Sequence, residues 1–200
     1  MSTNRPKIKI SRRLGIAITP KAHGYLEKRP FAPGQHGPNK RRAKLSDYGR
    51  QLIEKQKLRH QYNIREKQLT NYYKKAVRKH GNPAENLIRI LESRLDAAVL
   101  RGGFARTIYQ ARQLVGHGHF LVNGKKVDIP SYQLRIGDEI SVRPKSRECA
   151  AIIGSIEAGN PPEYLNVNTK ELTIKVDRVC ERDEVPVICE LSLVVEYYSR

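Results

Sequence analysis

The sequence has no tryptophan, one methionine and three phenylalanines in 200 residues. Its hydrophobic fraction of 38% supports a modest core, in one large domain or two small ones. No window approaches the ~20 consecutive apolar residues of a membrane-spanning helix. No apolar stretch follows Met1-Ser2-Thr3-Asn4-Arg5, which excludes a secretory signal. Serine and threonine are too sparse in this basic start for an organelle transit peptide. Cysteine is scarce and scattered: Cys149, Cys180 and Cys189 form no C-x-x-C pair, so structural zinc has no ligand framework. They are expected to be reduced, partly buried thiols of a cytosolic protein. Catalytic signatures are also missing. Gly124-Lys125-Lys126 lacks the rest of a P-loop, and no H-E-x-x-H, G-x-S-x-G or dinucleotide fingerprint occurs. No enzyme activity, cofactor or metal is therefore expected.

Acidic residues are scarce in one part of the chain only. Residues 1–80 hold 22 Lys and Arg against 4 Asp and Glu, a balance of +18. Residues 81–147 hold 11 against 6, and residues 148–200 hold 5 against 10. A solvated surface mixes signs, whereas segregated charge presents a polyanion-binding half. An anionic membrane is the alternative polyanion, but no basic amphipathic helix carries a continuous bulky apolar face.

Residues 1–44 read as an extended basic arm, punctuated by Pro6, Pro20, Pro30, Pro33 and Pro38 and too poor in apolar surface to order alone. Ser46 is a plausible N-cap for a helix presenting Tyr48, Leu52, Lys55, Arg59 and Tyr62 on one face. Tyr62-Asn63-Ile64 is a break. A second helix over about 65–80 carries the stripe Leu69, Tyr73, Val77 and His80, and Gly81 ends it. Asn82-Pro83-Ala84-Glu85 starts a third helix, with the stripe Leu87, Ile88, Leu91, Leu95, Ala98 and Val99 running to Gly102-Gly103. Thr107-x-x-Gln110 caps a short helix with Ala111, Leu114 and Val115 inward. Phe120-Leu121-Val122, Asn123-Gly124 and Lys125-Lys126-Val127 form a hairpin with a type I′ turn. Further strands are expected at 139–143, 172–176, 185–189 and 191–197. The fold class is α+β, with an extended basic arm, a helical first domain and a helix-helix-hairpin RNA-binding domain with short strands.

Three constellations suggest RNA. On the short helix, Arg106, Gln110, Gln113 and His117 form a polar stripe, and Arg112 adds a cation. Arg94 and Arg101 flank the small Ala97, so a phosphate backbone could approach closely, and arginine grips phosphate as a fork. Asn123, Lys125 and Lys126 extend this surface at the hairpin tip. The helices at 48–80 mix Lys55, Lys57, Arg59, Arg65, Lys67, Lys74, Lys75, Arg78 and Lys79 with tyrosines. Tyr48 and Tyr72 could stack on unpaired bases or be half-buried core residues; the residues leave both open. In the arm, Arg12, Arg13, Arg41, Arg42 and Lys44 are the candidate phosphate contacts. Two motifs read as structural: His117-Gly118-His119 lacks a third metal ligand, and the tripeptide Arg94-Leu95-Asp96, shared with pseudouridine synthases, continues here as a helix, so Asp96 is expected to pair with a nearby arginine.

Pro33-Gly34-Gln35-His36-Gly37, Leu45-Ser46-Asp47-Tyr48-Gly49, Gln51-Leu52-Ile53-Glu54-Lys55-Gln56-Lys57 and Gln110-Ala111-Arg112-Gln113-Leu114-Val115 occur in that order. With Val122-Asn123-Gly124, Val127-Asp128-Ile129-Pro130-Ser131-Tyr132 and the ending Val195-Glu196-Tyr197-Tyr198-Ser199-Arg200, they resemble the family of small-subunit ribosomal protein number four, of the bacterial and plastid type. With no Cys before Cys149, the chain resembles the zinc-free branch. The resemblance implies a primary binder of the 5′ domain of small-subunit rRNA, seated at a multi-helix junction, that nucleates assembly of the subunit body. It implies an influence on decoding accuracy with small-subunit proteins five and twelve, and a position beside the channel through which mRNA enters. It implies a ribosome of the cytoplasm, with the plastid as alternative, no membrane, and no homo-oligomer in the working state. It also implies that the unit 94–142 is the RNA-binding domain shared with some RNA-modifying enzymes. The C-terminal strands would return to the first helical domain, so the domains are expected at 45–90 with 177–200, and at 91–176. The chain departs from the family at Ile108 and Tyr109, where Arg and a small residue are common, at Tyr164-Leu165, where Trp-Leu is usual, and over 149–163. Two rivals remain: an RNA-modifying enzyme that needs Asp96, and a heat-shock-type factor acting on stalled ribosomes.

Overall fold

A computed structural model describes residues 6–35, 37–38, 45–156 and 161–199. The chain divides into two compact units, residues 1–70 with 187–200 and residues 71–186, against the expected divisions at 90/91 and 176/177.

In the first unit, α1 (Lys7–Leu14) and α2 (Pro20–Lys28) occupy a segment expected to be extended. Its prolines fall where helices tolerate them: Pro6 precedes α1 and Pro20 opens α2, where the missing N–H has no helical partner. α3 (Asp47–Gln61) starts on Ser46, whose hydroxyl accepts from the Gly49 N–H at 3.2 Å. It ends at Asn63, whose φ of 48° turns the chain. The buried face of α3 is Gln51, Lys55 and Leu58, followed by Tyr62, rather than the face containing Tyr48, Leu52 and Arg59.

Residues 191–197, expected as a strand, instead form a helix, α9 (Leu191–Tyr198). Their β-branched and aromatic content favours strands locally, but packing against α3 overrides that preference. The Gln51 amide donates to Glu196 at 3.0 Å, and the Tyr48 and Tyr197 rings lie 5.8 Å apart.

α4 (Glu66–Val77) contains the boundary between the units. Its buried positions are Leu69, Tyr72 and Ala76; Val77, expected inside, is 50% exposed. The remaining helices of the second unit are α5 (Pro83–Glu92), α6 (Leu95–Arg101), α7 (Ile108–Gly116) and α8 (Ala150–Ile156). Asn82 caps α5 by accepting from the Ala84 N–H at 2.9 Å. Asn86 then binds α5 to the end of α4 by donating to the carbonyls of Ala76, Lys79 and His80.

The helix expected from 83 to 101 is broken at Arg94, whose ψ of 144° is extended. Arg94 forms an isolated bridge with Gln133, while the Leu95 and Asp96 N–H groups donate to the Tyr132 and Pro130 carbonyls. The loop thus supplies acceptors for N–H groups that would otherwise continue the helix.

Strands β1 (Phe120–Val122), β2 (Lys125–Lys126), β3 (Glu139–Val142), β4 (Leu165–Asn168) and β5 (Thr173–Val176) form one antiparallel sheet in the order β2-β1-β3-β5-β4. Positive φ at Asn123 (49°) and Gly124 (76°) makes the β1–β2 turn type I′. Residues 185–189, expected as a strand, are irregular. Leu87, Leu91, Leu95, Val99, Phe104, Phe120, Ile140, Ile152 and Ile174 form the core, each fully buried. Each such side chain contributes roughly 1.5–3 kcal/mol of hydrophobic stabilisation.

Candidate nucleic-acid interface

The two units each carry cations, and the structure separates those held internally from those presented outward.

In the first unit, Lys55 was expected on the surface and is 3% exposed. Its ammonium bonds Glu66 at 2.9 Å and lies 4.5 Å from the centre of the Tyr197 ring, so it is a packing element and not an RNA contact. Burial is the largest influence on Glu66 and raises its pKa. Hydrogen bonds from Tyr198 and Lys55 and the charges of Lys55 and Arg59 outweigh it, holding the carboxyl below its ordinary value. Lys57 pairs with Glu54 at 2.6 Å, and Arg59 lies 4.0 Å from Glu66. Arg12 fastens the chain after α2: its Nε donates to the Arg29 and Phe31 carbonyls, and its guanidinium covers the Phe31 ring. Arg13, Arg65 and Lys67 are exposed, and Tyr48 is 49% exposed. Arg41, Arg42 and Lys44 lie outside the described residues.

In the second unit, three expected contacts turn inward. Arg94 is 0% exposed: its Nε donates to Asp96 Oδ1 at 2.8 Å, its Nη2 to Asp96 Oδ2, and its Nη1 to the Tyr72 hydroxyl at 2.7 Å. Neither Arg94 nor Tyr72, which is 7% exposed, can meet a phosphate or a base there. Burial works to lower the Arg94 pKa, but the bond and charge of Asp96 raise it overall. Asp96 is structural and paired with arginine, as expected. Arg101 clasps the buried Glu92 with both Nε and Nη2, and the Tyr164 hydroxyl donates to the same carboxylate at 3.0 Å. Tyr164 thus has a polar partner where the family usually has Trp. The nearby Cys180 thiol is pushed up to about 12, first by burial and then by the Glu92 charge, which makes it a poor nucleophile.

The α7 stripe divides in two. Arg106 donates to the Gly154 carbonyl and the Gln110 amide to the Ala151 carbonyl, so these two hold α8 rather than standing clear. Gln113 and His117 remain exposed, and Arg112 is partly exposed 4.0 Å from Asp96. At the hairpin, the Asn123 side chain closes the turn: it donates to Asp138 and accepts from the Glu139 N–H. Lys125 and Lys126 are exposed.

A third part of this surface was not expected from the sequence. The His119 carbonyl accepts from the Arg143 N–H, and its ring bonds the Ser146 hydroxyl at 2.9 Å, which fastens the short 3-10 turn Pro144–Ser146 beside the end of α7. The backbone of Arg143 thereby lies beside His119, where the Lys126 side chain also lies against Gly118, and Lys145 and Arg147 follow in and just after the 3-10 turn. No described carboxylate pairs with Lys125, Lys126, Arg143, Lys145 or Arg147. The acid-free run Arg143-Pro144-Lys145-Ser146-Arg147 was the available signal. Two of the carboxylates, Glu92 and Asp96, are buried on arginine partners, and cations without a described carboxylate partner outside give a surface that attracts phosphate.

Among the described residues, no group of His, Cys, Asp or Glu could hold a metal ion, and no helix is long and apolar enough to cross a membrane.

Residues 2–92 match the family described as "Ribosomal protein S4/S9 N-terminal domain", and residues 93–140 match the "S4 domain". The chain is 51% identical over 202 residues to the small ribosomal subunit protein uS4 of Streptomyces avermitilis, covering 98% of each chain. It is 52% identical to that of Streptomyces griseus, again over 98% of each chain. It is 53% identical over 193 residues to that of Staphylococcus aureus strain Newman, covering 96% of each chain.

Proposed function

The chain belongs to the uS4 family of small ribosomal subunit proteins, and on that premise we propose that it is a primary rRNA binder that docks on the 5′ domain of small-subunit rRNA and nucleates assembly of the subunit body. It is a structural constituent of the small subunit, with rRNA and ribosomal proteins as partners, and not an enzyme. One observation carries the RNA reading: the Lys126 side chain and the backbone of Arg143 meet the chain at Gly118-His119, just after α7, and Lys125, Lys126, Arg143, Lys145 and Arg147 have no described carboxylate partner. Docking is electrostatic, with counterions released from the phosphates, and recognition follows junction shape and splayed bases rather than groove reading. Contact with small-subunit protein five, functional coupling to protein twelve, a share in decoding accuracy and a place beside the incoming mRNA complete the proposed role, in a cytoplasmic ribosome.

A filter-binding titration of the full chain against a 5′-domain transcript tests this. The expected result is tight binding that weakens with salt on a log–log slope of about −0.7 to −0.9 per phosphate contacted. Equal affinity for an unrelated rRNA domain would overturn it.

A further inference from the structure

The second unit contains a cavity of about 530 Å³, within the range of roughly 300–1,000 Å³ typical of small-ligand pockets. The assigned phosphate-binding surface does not use it. Its walls are largely apolar, including Ile90, Leu134, Leu165 and Val176, with the polar Asn86, Ser93 and Gln133 among them. Ile136 and Val179 also line it and stay 61% and 47% exposed, so the lining does not close on itself. The carboxylate at its wall, Glu92, is already held by Arg101 and Tyr164. The uncommitted charges there are positive: Lys79 and Arg135 are exposed, and no described carboxylate pairs with either.

The surroundings favour one occupant. Lys74 and Lys75 on the last turn of α4, and Arg78 and Lys79 in the turn after it, are exposed, and the last of them lines the cavity. A largely apolar cavity with exposed cations beside it fits a base attached to a phosphodiester chain. A neutral aliphatic ligand would not use the cations.

We propose that this cavity receives one base extruded from the bound RNA, with its flanking phosphates on Lys79 and Arg135 and the strand continuing along Lys74, Lys75 and Arg78. This rests on the RNA-binding reading above and adds a base-specific site to it.

The test uses the full chain with 5′-domain transcripts carrying 4-thiouridine or 6-thioguanosine, cross-linked by long-wave light and mapped by mass spectrometry. One nucleotide should cross-link to the segment 134–136 or 179–180. Val179→Trp, which fills the slot from an exposed position, should remove that cross-link. It should weaken binding by about tenfold, the worth of one stacked base, without changing the salt slope. Arg135→Glu should weaken binding and flatten the slope. A thermal melt of each variant matching the parent confirms the fold. Three results would overturn the proposal: no cross-link at these segments while the transcript is bound, an unchanged cross-link in Val179→Trp, or cross-links from these segments to a neighbouring protein in reconstituted subunits. If the parent chain fails to bind the transcript at all, the RNA-binding reading itself fails, a result distinct from the other three.

Discussion

Arg94 and Asp96, two positions apart, meet as a two-pronged ion pair with both side chains at 0% exposure. The pair sits where α5 gives way to α6, and the Tyr72 hydroxyl takes a further Arg94 donor. Its role is to fix a geometry. Removing one partner strands a buried charge, so Arg94→Ala should cost about 3–5 kcal/mol in urea unfolding. A loss under about 1 kcal/mol would contradict a structural role for the pair.

The outward cations should behave differently. The triple replacement Arg143→Ala, Lys145→Ala and Arg147→Ala should leave the melting temperature in place and weaken rRNA binding. It should also flatten the salt slope by about 0.7–0.9 for each phosphate that these side chains neutralise in the parent chain. Filter binding across a salt series measures this. An unchanged slope would remove these residues from the interface.

Arg106, just before α7, and Arg112, within it, separate. Arg106 already donates to the Gly154 carbonyl, whereas Arg112 is partly exposed beside Asp96. Both Arg106→Ala and Arg112→Ala should weaken rRNA binding with the fold intact, and Arg112→Ala should weaken it more. Equal affinities for both variants and the parent chain would take this helix out of the account.

Acid should loosen the first unit through Glu66. Its folded pKa is depressed, so the unfolded chain binds the proton more readily, and stability from this group is present above about pH 4.5 and lost as pH falls through the folded value. Glu66→Gln should flatten the acid limb of a stability–pH profile measured by urea unfolding. A parallel acid limb in the variant would assign that loss to other carboxylates.

Gly102 ends α6 against the sheet. A Cβ there would lie 2.4 Å from Ile174 Cδ1 and 3.2 Å from the Ala98 carbonyl oxygen. Gly102→Ala should therefore destabilise by about 1–3 kcal/mol through overpacking, read by thermal or urea unfolding.

Much of this molecule was legible in its sequence. Asn82-Pro83, Thr107 and Asn123-Gly124 carry their own local geometry, and each cap or turn stands where its chemistry placed it. The core stripe Leu87, Ile88, Leu91, Leu95, Ala98 and Val99 was also readable, because burial follows helical period. What escaped depended on distant partners. α9 looks like a strand until α3 packs against it, and the break at Arg94 depends on carbonyls nearly forty residues later. The site suffered similarly: charge shows that an arginine is present, and only a partner such as Asp96 or Glu92 shows which way it turns.

The most direct test of the account is cross-linking of the full chain to RNA in growing cells, followed by sequencing of the bound fragments. Reads should concentrate on one helical junction in the 5′ domain of small-subunit rRNA. A broad footprint over tRNA or mRNA, with no excess at a single rRNA junction, would contradict it.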